Sequence, residues 1–585
     1  MVLSAHRYRS LSLLAVGLWW TSNLIGTPRV SAAETEAYQH LAERMDLYFT
    51  GEQPRLIESY ATPYPPGPDG TLERVTFTYD NALAAMLLVN RGTSDDLRRA
   101  KLICDALLWY QQRDPFADGR LRQAYRADQN LLAEATPRSP NGFYNSYTGD
   151  MAWAGLAWLT YYERTRAKTY LDAAIKTANV LVERLRELSG RGFYHGLIER
   201  EVTVGVPLSR YARLTSATQT VSIPLKEFRS QGLDLKRLRA FSLVFNRTPK
   251  VGTITFRDIK LWNSSTKASR LIDDFSDAIP LRNSLGFEIG GIVDIWTHPS
   301  GKVITWNSAD GTIDWWYSLL ADLKDTSRLD GSGYTHLVLG LAGGVGGEDF
   351  TVELQGFRFP PTPDKARSTE ENLAVYVFFK RLFGLTGESR WDKYGGEAAN
   401  LVKGTLWDAT TKRFYAGLFA SRTVDRVHLV EDAQSLALLS LGNINRYGAA
   451  LDWADRTLGW SSDGFTGFDF GFDSTKEARP DGVWFEGTAH MTCAYQVSRV
   501  YGGVDFSAFY LNELGRAQQG AMNTNGKGLV AASHHGVTTG FPNFSYYASS
   551  HIGATAWYLA ALRHYNPLWN TSTETCVPYD PTCAP

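Results

Sequence analysis

A recurring unit constrains the fold of this 585-residue chain more than any other feature: an acidic or polar cluster with a small residue opens a strongly apolar helical run. The six openings are 78–82, 148–152, 368–372, 431–435, 484–488 and 549–553. Helices that are apolar on most faces are typical of a protein interior. Amphipathic helices, suited to an outer layer, are predicted between them at 36–50, 94–112, 166–188, 388–407, 446–459 and 504–522.

The spacing of the openings locates an insertion. They lie near positions 80, 150, 370, 432, 486 and 551, so the successive steps are 70, 220, 62, 54 and 65 residues. Removing about 155 residues from the long step restores the common spacing. Six inner and six outer helices predict a mainly α fold, an (α/α)6 toroid, interrupted between its second and third helical hairpins.

The insertion, 200–358, has the sequence pattern of β-strands. Alternating or β-branched segments occur at 220–225, 252–256, 302–306 and 350–354, and a glycine-rich turn lies at 343–347. Short strands over about 155 residues predict one β-sandwich or jelly roll, because two smaller sandwiches would have thin cores. The predicted toroid therefore comprises 34–199 and 359–570, followed by a tail at 571–585.

The first 33 residues have the features of a signal peptide. A positively charged segment at 6–9 precedes an apolar run at 11–25, which is too short to span a membrane. We expect cleavage after Ala32 or Ala33 and a periplasmic or secreted protein without a membrane partner. An uncleaved anchor is the alternative.

The four cysteines fall into two classes. Cys576 and Cys583 are separated by six residues in the predicted tail, and an oxidising compartment would join them in a disulfide. Cys104 and Cys493 lie in apolar helical contexts and are predicted to be buried thiols. No set of cysteines and histidines has the spacing of a zinc site, so no catalytic metal is predicted.

Charge and composition narrow the possible partners. The chain has 60 Lys+Arg and 61 Asp+Glu, a net charge of −1, which excludes the basic footprint of a nucleic-acid binder. Aromatic residues make up 13% of the chain. Large cores and rings that stack on sugar faces explain this content equally well.

The six-fold pattern resembles the six-hairpin glycosidase superfamily of bacterial carbohydrate-active enzymes, over roughly 34–195 and 366–568. The insertion is similar to family 11 carbohydrate-binding modules. Segment 271–277 resembles the opening of such a module, and segments 221–228 and 257–260 resemble its closing half. The closing half comes first here, which implies a circular permutation. By this resemblance the insertion could hold a structural Ca²⁺, and no other cofactor is expected. Glycan binding, shaping of the cleft and dimerisation are all open as the role of the insertion.

The first residues of the inner helices are the candidate site. Inner helices of a toroid direct their N-termini to one rim, where free N–H groups and the helix dipole favour carboxylates. We therefore expect one cavity lined by Asp80, Asp150, Glu370, Glu371, Glu431, Asp432 and Glu486. Helix capping is the better explanation for any one of them. Capping alone explains five acidic clusters on one rim less well.

Crowded carboxylates have a chemical use. Burial and repulsion raise the pKa of one group while another stays ionised, so one can protonate a leaving glycosidic oxygen and the other can activate water. The expected general acid is Glu370 or Glu371, by analogy with six-hairpin enzymes. The candidates for the base are Asp150, Asp432, Glu486 and Asp80.

Further candidates for substrate binding lie beside these acids. They are Asp80, Tyr79, Tyr147, Trp484, Tyr546, Tyr547 and His551. The rings would stack on sugars, with core packing as the alternative. His551 would bind a sugar hydroxyl or carry a proton, with helix capping equally favoured.

The favoured function is an exported glycoside hydrolase that cleaves a neutral, glucan-like oligo- or polysaccharide by inverting chemistry. A sugar isomerase or epimerase is one alternative, although it usually needs paired histidines. Only His551 is expected at the rim, with His490 half a turn inside another helix. A polysaccharide lyase and a non-catalytic glycan-binding protein remain open, and the oligomeric state is not predicted.

Overall fold

The computed structural model describes residues 27–67, 70–135, 137–140, 142–244, 247, 251–274, 292–298, 301–306, 312–316, 329–542, 544–580 and 582. Most of the predicted signal peptide lies outside these residues, as does Cys583. Cleavage and the disulfide between Cys576 and Cys583 therefore stay predictions. Cys104 and Cys493 are free and buried, as the sequence predicts.

Twelve long helices in the described part of the chain alternate between an outer and an inner layer. They are α1 Thr27–Met45, α2 Thr78–Arg91, α3 Ser94–Arg113, α4 Thr148–Thr165, α5 Lys168–Val180, α6 Thr369–Thr386, α7 Ser389–Leu401, α8 Asp432–Leu441, α9 Ala449–Leu458, α10 Phe485–Val500, α11 Ser507–Gly520 and α12 Ile552–Leu562. Single π-helical turns, Leu181–Leu185 and Val402–Leu406, follow α5 and α7.

The even-numbered helices form a closed ring. Each packs against the next in the order α2, α4, α6, α8, α10 and α12, and α12 returns to α2. Each outer helix packs on one inner helix, α1 on α12 and α3 on α2, for example. The inner helices are buried almost throughout, as their apolar sequences require. The predicted toroid of six helical hairpins is confirmed.

The first outer helix differs from its prediction. The sequence predicts it at 36–50, but α1 begins at Thr27 and ends at Met45, whose carbonyl accepts a hydrogen bond from Arg55 Nε at 3.1 Å. The predicted tail, in turn, packs on the toroid. Its Asp580 is 6% exposed and accepts a hydrogen bond from the Asn443 N–H at 2.5 Å.

Four short strands lie in the connections between the helices before the insertion. They are β1 Val75–Phe77, β2 Ala124–Arg126, β3 Ser146–Tyr147 and β4 Gly196–Ile198. Strands β1 and β3 lead directly into α2 and α4, so the chain is extended where it approaches an inner helix.

The insertion is built of antiparallel strands. They are β5 Glu201–Pro207, β6 Gln219–Pro224, β7 Leu233–Val244, β8 Gly252–Trp262, β9 Ser269–Asp273, β10 Ile292–His298, β11 Gly301–Trp306, β12 Thr312–Trp316, β13 His336–Gly343 and β14 Thr351–Arg358. One sheet has the order β10-β11-β8-β13-β6, with β9 also on β8, and the other has the order β12-β7-β14-β5. Both sheets contribute to one apolar cluster, which includes Ile254 and Leu339 from the first and Phe241 and Leu354 from the second. The strand pattern is confirmed, and the jelly-roll topology stays a prediction.

The remaining strands connect the hairpins of the toroid. They are β15 Thr362–Asp364, β16 Arg367–Ser368, β17 Trp407–Asp408, β18 Arg413–Phe414, β19 Gly417–Leu418, β20 His428–Val430, β21 Gly459–Ser462, β22 Phe465–Phe468, β23 Gly471–Asp473, β24 Val537–Thr538, β25 Ser545–Tyr546, β26 Tyr565–Asn566 and β27 Thr571–Ser572. Strands β4 and β15, on either side of the insertion, form a sheet with β3. Both connections of the insertion therefore run beside the start of α4.

Candidate active site

Recurring threonines fix the starts of the inner helices. Thr148 Oγ1 donates to the Tyr194 carbonyl at 2.5 Å, and Thr369 Oγ1 donates to the Tyr415 carbonyl at 2.5 Å. The same bond recurs because α4 and α6 are equivalent positions of one repeat. It holds the N-terminal turns of these helices at the same rim.

Glu370 and Glu371 open α6 in different surroundings. Glu371 is 4% exposed, its Oε2 lies 2.9 Å from Nδ1 of His195, and its Oε1 accepts from the Gly149 N–H at 3.3 Å. Glu370 is partly exposed, and its Oε1 accepts from the Trp153 indole N–H at 2.9 Å. The two adjacent carboxyls therefore differ in exposure: that of Glu371 is buried, and that of Glu370 is partly exposed at the rim.

The pKa values of these groups are strongly perturbed. Burial, followed by repulsion from Glu371, raises the pKa of Glu370 to about 8. Burial opposes a charged imidazole at His195, but the Glu371 carboxylate outweighs it and raises the pKa of His195 to about 9. At neutral pH Glu370 therefore carries a proton close to the protonated His195.

Asp150, in the first turn of α4, is a second carboxyl with a raised pKa. The pKa lies well above the usual range, because burial and then repulsion from Glu371 and Glu370 disfavour the carboxylate. Its side chain is partly exposed, like that of Glu370.

Three neighbouring helices, α2, α10 and α12, supply a second cluster. The His551 ring lies between Asp80 and Glu486, with Nε2 at 3.2 Å from Asp80 Oδ2 and Nδ1 at 3.4 Å from Glu486 Oε2. The Tyr79 hydroxyl donates to Glu486 Oε1 at 2.9 Å and accepts from Trp557 Nε1 at 2.8 Å. Burial opposes a charged His551, but the two carboxylates raise its pKa to about 10. Nδ1 of His551 also accepts a hydrogen bond from the Ala554 N–H at 3.3 Å, so His551 caps α12, which is the alternative that the sequence left open.

Asp432 and Glu431 lie at the start of α8, close to His490 of α10. His490 is 2% exposed, with Nδ1 at 3.5 Å from Glu431 Oε2, and burial lowers its pKa to about 4. Burial keeps the pKa of Glu431 well above its usual range. Burial and then Glu431 raise the pKa of Asp432 to about 7. Asp432 is therefore poised to ionise near neutral pH.

Exposure divides the seven predicted acids into two groups. Asp80, Glu371, Glu431 and Glu486 are buried, with 0–4% of their surface exposed. Asp150, Glu370 and Asp432 are partly exposed. The second group, on the consecutive helices α4, α6 and α8, holds the carboxyls that a ligand in the cavity can touch.

Two glycines allow this crowding. An ideal Cβ on Gly553 would lie 2.7 Å from Asp80 Oδ1 and 2.8 Å from Glu486 Oε2. On Gly149 it would lie 3.1 Å from Glu371 Cγ. The absence of a side chain at these helix starts lets carboxylates of neighbouring helices approach the backbone.

The predicted aromatic contacts are placed as follows. Tyr546 stacks on Trp484 with centroids 5.2 Å apart, and Tyr147 packs on His195 at 4.7 Å. Tyr147, Tyr546 and Tyr547 are partly exposed. Trp484 is 2% exposed, so its predicted stacking on sugar is wrong, and it supports the Tyr546 ring instead.

His195 is a rim residue that was not among the candidates from the sequence, and the expectation of a single rim histidine is wrong. His195 belongs to the stretch Phe-Tyr-His-Gly at 193–196, which matches Phe-Tyr-Ala-Gly at 414–417. Each stretch supplies the carbonyl that accepts from a threonine of an inner helix. This repeat was the available signal, since it places His195 directly beside an anchor of the rim.

Metal and membrane sites are not apparent in the described residues. No group of three or more His, Cys, Asp or Glu side chains is gathered there to hold an ion. Within the same residues, no helix combines the length and the apolar character needed to cross a membrane. A Ca²⁺ ion in the insertion stays a prediction.

Comparisons with known proteins give similarity in structure alone. No protein-family model matches the sequence, and no curated protein matches it. Solved structures that are similar include a D-mannose isomerase (7% identity, TM-score 0.47, covering 91% of this chain and 95% of that chain). A cellobiose 2-epimerase from Spirochaeta thermophila (11%, 0.46, 92% and 98%) and a GH76 α-mannanase from Bacteroides thetaiotaomicron (7%, 0.42, 90% and 94%) are also similar. At these identities and TM-scores they carry no information about the chemistry of this chain.

Proposed function

We propose that the protein is a glycoside hydrolase that acts on a neutral oligo- or polysaccharide. The observation that carries the proposal is one ring of inner-helix starts at which Glu370 holds a proton near neutral pH and Asp432, close enough to affect its pKa, is poised to lose one. Two carboxyls whose surroundings set different protonation states are what acid–base cleavage of a glycosidic bond requires.

Glu370 is the proposed general acid. It is partly exposed, and the Trp153 N–H holds Oε1, which leaves Oε2 to carry the proton towards a leaving oxygen. Glu371, the other candidate from the sequence, is buried and paired with His195. It therefore acts as a positioning residue.

Asp432 is the proposed general base. It is carried by the neighbouring helix α8, it is partly exposed, and its pKa of about 7 makes the carboxylate available at neutral pH. As a carboxylate it would take a proton from the water that attacks the anomeric carbon, while Glu370 protonates the departing oxygen. We propose inversion, since acid and base on separate helices leave room for that water.

The acidic character of the cavity favours an uncharged substrate. Glu370, Asp150 and Asp432 would repel a uronate as they ionise. A lyase would need a cation to neutralise the uronate. Arg367, beside α6, is 2% exposed and lies 3.8 Å from Glu187, so it is not open to a ligand. The protonated His195 at the rim is already paired with Glu371, so no free cation favours the lyase alternative among the described rim residues.

Sugar epimerisation is the second candidate, because His195 and His551 bring two imidazoles to the ring. Epimerisation at a carbon needs a base that removes a proton. Both histidines have raised pKa values, about 9 and about 10, so neither is a free base near neutral pH. This protonation favours hydrolysis over epimerisation.

The test is product analysis with the mature chain on a panel of neutral glucans, mannans and a polyuronate in deuterated water. New reducing ends support hydrolysis. Deuterium in an uncleaved epimer supports the second candidate, and unsaturated uronates support a lyase. Retention on a glycan without turnover supports a non-catalytic glycan-binding protein. The proposal fails if no neutral glycan is cleaved.

We also propose export to the periplasm or the medium, and glycan binding by a jelly roll in the insertion. The apolar segment at 11–25 and the small residues around Ala32 support export. N-terminal sequencing of the exported protein tests the first proposal, with Glu34 or Ala33 expected as the first residue. Glycan-affinity electrophoresis with and without Ca²⁺ tests the second.

A further inference from the structure

A continuous row of rings leads outward from the cavity. We name the row formed by Phe419, His428, Phe541, Phe470, Phe544 and Tyr546 the aromatic platform. His428 and Phe541 stack with centroids 4.2 Å apart and planes 15° apart. Phe470 lies 6.4 Å from Phe541 and 5.7 Å from Tyr546. Tyr546 rests on Trp484, immediately before α10, so the platform is continuous with the ring of helix starts.

Three connections of the toroid carry the platform. Phe419 follows β19 and His428 is the first residue of β20, so both lie in the connection before α8. Phe470 lies between β22 and β23. Phe541 and Phe544 lie in the hairpin of β24 and β25, before α12. Strand β20 pairs with β23, which joins two of these connections. The platform therefore forms one wall of the rim, beside the helix that carries Asp432.

The outer rings are open to solvent. Phe419 is 41% exposed and Phe544 is 50% exposed, while Phe541 and His428 are partly exposed. Isolated exposed apolar side chains are ordinary on protein surfaces. Here the exposed rings lie in one row that ends at the candidate catalytic cavity, which indicates a common ligand.

The platform is held rigidly before any ligand arrives. Asp425 Oδ2 lies 2.7 Å from Nδ1 of His428, and Asp425 Oδ1 accepts from the His428 N–H at 3.1 Å. Gly540, directly before Phe541, has φ +76°, and an ideal Cβ there would lie 2.5 Å from the Asp473 nitrogen. Fixed rings lose little conformational entropy when a ligand binds.

We propose that the aromatic platform binds further sugar residues of the same neutral glycan that is cleaved at Glu370 and Asp432. This inference rests on the proposed function. Ring faces suit the apolar faces of pyranoses, and the partly exposed His428, held at Nδ1 by the buried Asp425, offers a polar contact beside them. The enzyme then prefers chains long enough to reach from the cavity over Tyr546 to Phe541 and Phe419.

Chain-length dependence tests the proposal. We expect kcat/KM of the wild type to rise from the disaccharide to the hexasaccharide of the cleaved glycan. F419A and F544A should lower kcat/KM for the hexasaccharide about 3- to 10-fold each, the value of an aromatic contact, and leave the disaccharide unchanged. F509A is the matched control, because Phe509 is also 50% exposed but lies on α11, away from the platform.

Binding supplies a second readout that does not depend on turnover. In affinity electrophoresis with soluble glucan or mannan, the wild type and F509A should be retarded and F419A/F544A should migrate faster. Cleavage without any length dependence, or equal losses on short and long chains, overturns the platform and leaves the hydrolase. Retardation that depends on Phe419 and Phe544 without cleavage overturns the hydrolase and leaves the platform. If no glycan is cleaved and the wild type is not retarded, both the hydrolase and the platform are overturned.

Discussion

Protonation at single carboxyls is what separates this cavity from a set of helix caps. Burial favours the neutral form of Glu370, Asp150 and Asp432, while His195 and His551 compensate the buried acids beside them. Buried charges are tolerated where they are paired. The three partly exposed acids, Asp150, Glu370 and Asp432, can exchange protons with a ligand, and acid–base catalysis requires this property.

A bell-shaped pH profile is expected for kcat/KM. Below a pH of about 7 Asp432 is protonated and cannot act as base, and above about 8 Glu370 is ionised and cannot act as acid. The maximum should therefore lie between these values. D432N should lower kcat about 100- to 10,000-fold and abolish the acidic limb. A wild-type profile that is flat from pH 5 to 9 would contradict these roles.

Stability should fall as pH rises above about 6.5. In the fold His195 and His551 keep a proton up to about pH 9 and 10, but in the unfolded chain they release it near 6.5. The folded chain thus binds more protons over this window, so the free energy of unfolding decreases with pH. Denaturant unfolding across this range checks the slope. H551Q should reduce it, and H535Q, at an exposed histidine, should leave it unchanged.

The start of each inner helix is the element that builds the site. At α2, α4 and α6 the N-cap residue is extended, the first turn carries an acid, and a threonine anchors the turn to a later segment. Where a neighbouring carboxylate must approach, a glycine takes the place of a larger residue. The same device recurs because the hairpins are repeats.

G553A is expected to damage activity more than stability. The added Cβ would displace the carboxylates of Asp80 and Glu486, whose nearest oxygens lie 2.7 and 2.8 Å from it, and so disturb the His551 ring between them. A misplacement of about 1 Å costs about 100-fold in kcat/KM. G396A is the control, since nothing lies within 4 Å of its Cβ. It should raise the free energy of unfolding by about 0.5–1 kcal/mol and leave kcat/KM unchanged. Equal kinetics for both variants would contradict the account.

The helix starts could be predicted from the sequence because periodicity and polarity are local properties. The start of α8 at Asp432 and of α10 at Phe485 coincide with predicted openings. Burial within the cavity could not be predicted, because it depends on which helices become neighbours. Glu371 and Trp484 therefore proved buried, and His195 was missed since its connection to the rim runs through a strand beside the insertion.

At the scale of the whole molecule, a buried ion cluster joins the insertion to the toroid. Arg122 Nη1 lies 2.8 Å from Glu199 Oε1, and Arg122 Nε lies 2.7 Å from Asp114 Oδ2. Arg237 of β7 pairs with the other oxygen of Glu199 and with Asp234. Glu199 follows β4, which pairs with the strand before α4. The cluster therefore ties the insertion to the sheet that precedes α4.

E199Q should lower the free energy of unfolding by about 3–5 kcal/mol, because it leaves two buried arginines without their shared carboxylate. The matched control is E201Q, since Glu201 is 47% exposed in its pair with Arg239 and surface pairs contribute about 0–1 kcal/mol. Chemical denaturation measures both variants. Equal effects of the two substitutions would show that the cluster does not hold the insertion in place.

The most direct test of the central claim is the dependence of E370Q on the leaving group. The variant lacks the proposed proton donor, so it should cleave the natural glycan about 100- to 10,000-fold more slowly than the wild type. On an aryl glycoside of the same sugar with an activated phenol, which departs without protonation, the rates should be nearly equal. Equal losses on both substrates, or no loss on either, would contradict the assignment of Glu370 as the acid of a glycoside hydrolase.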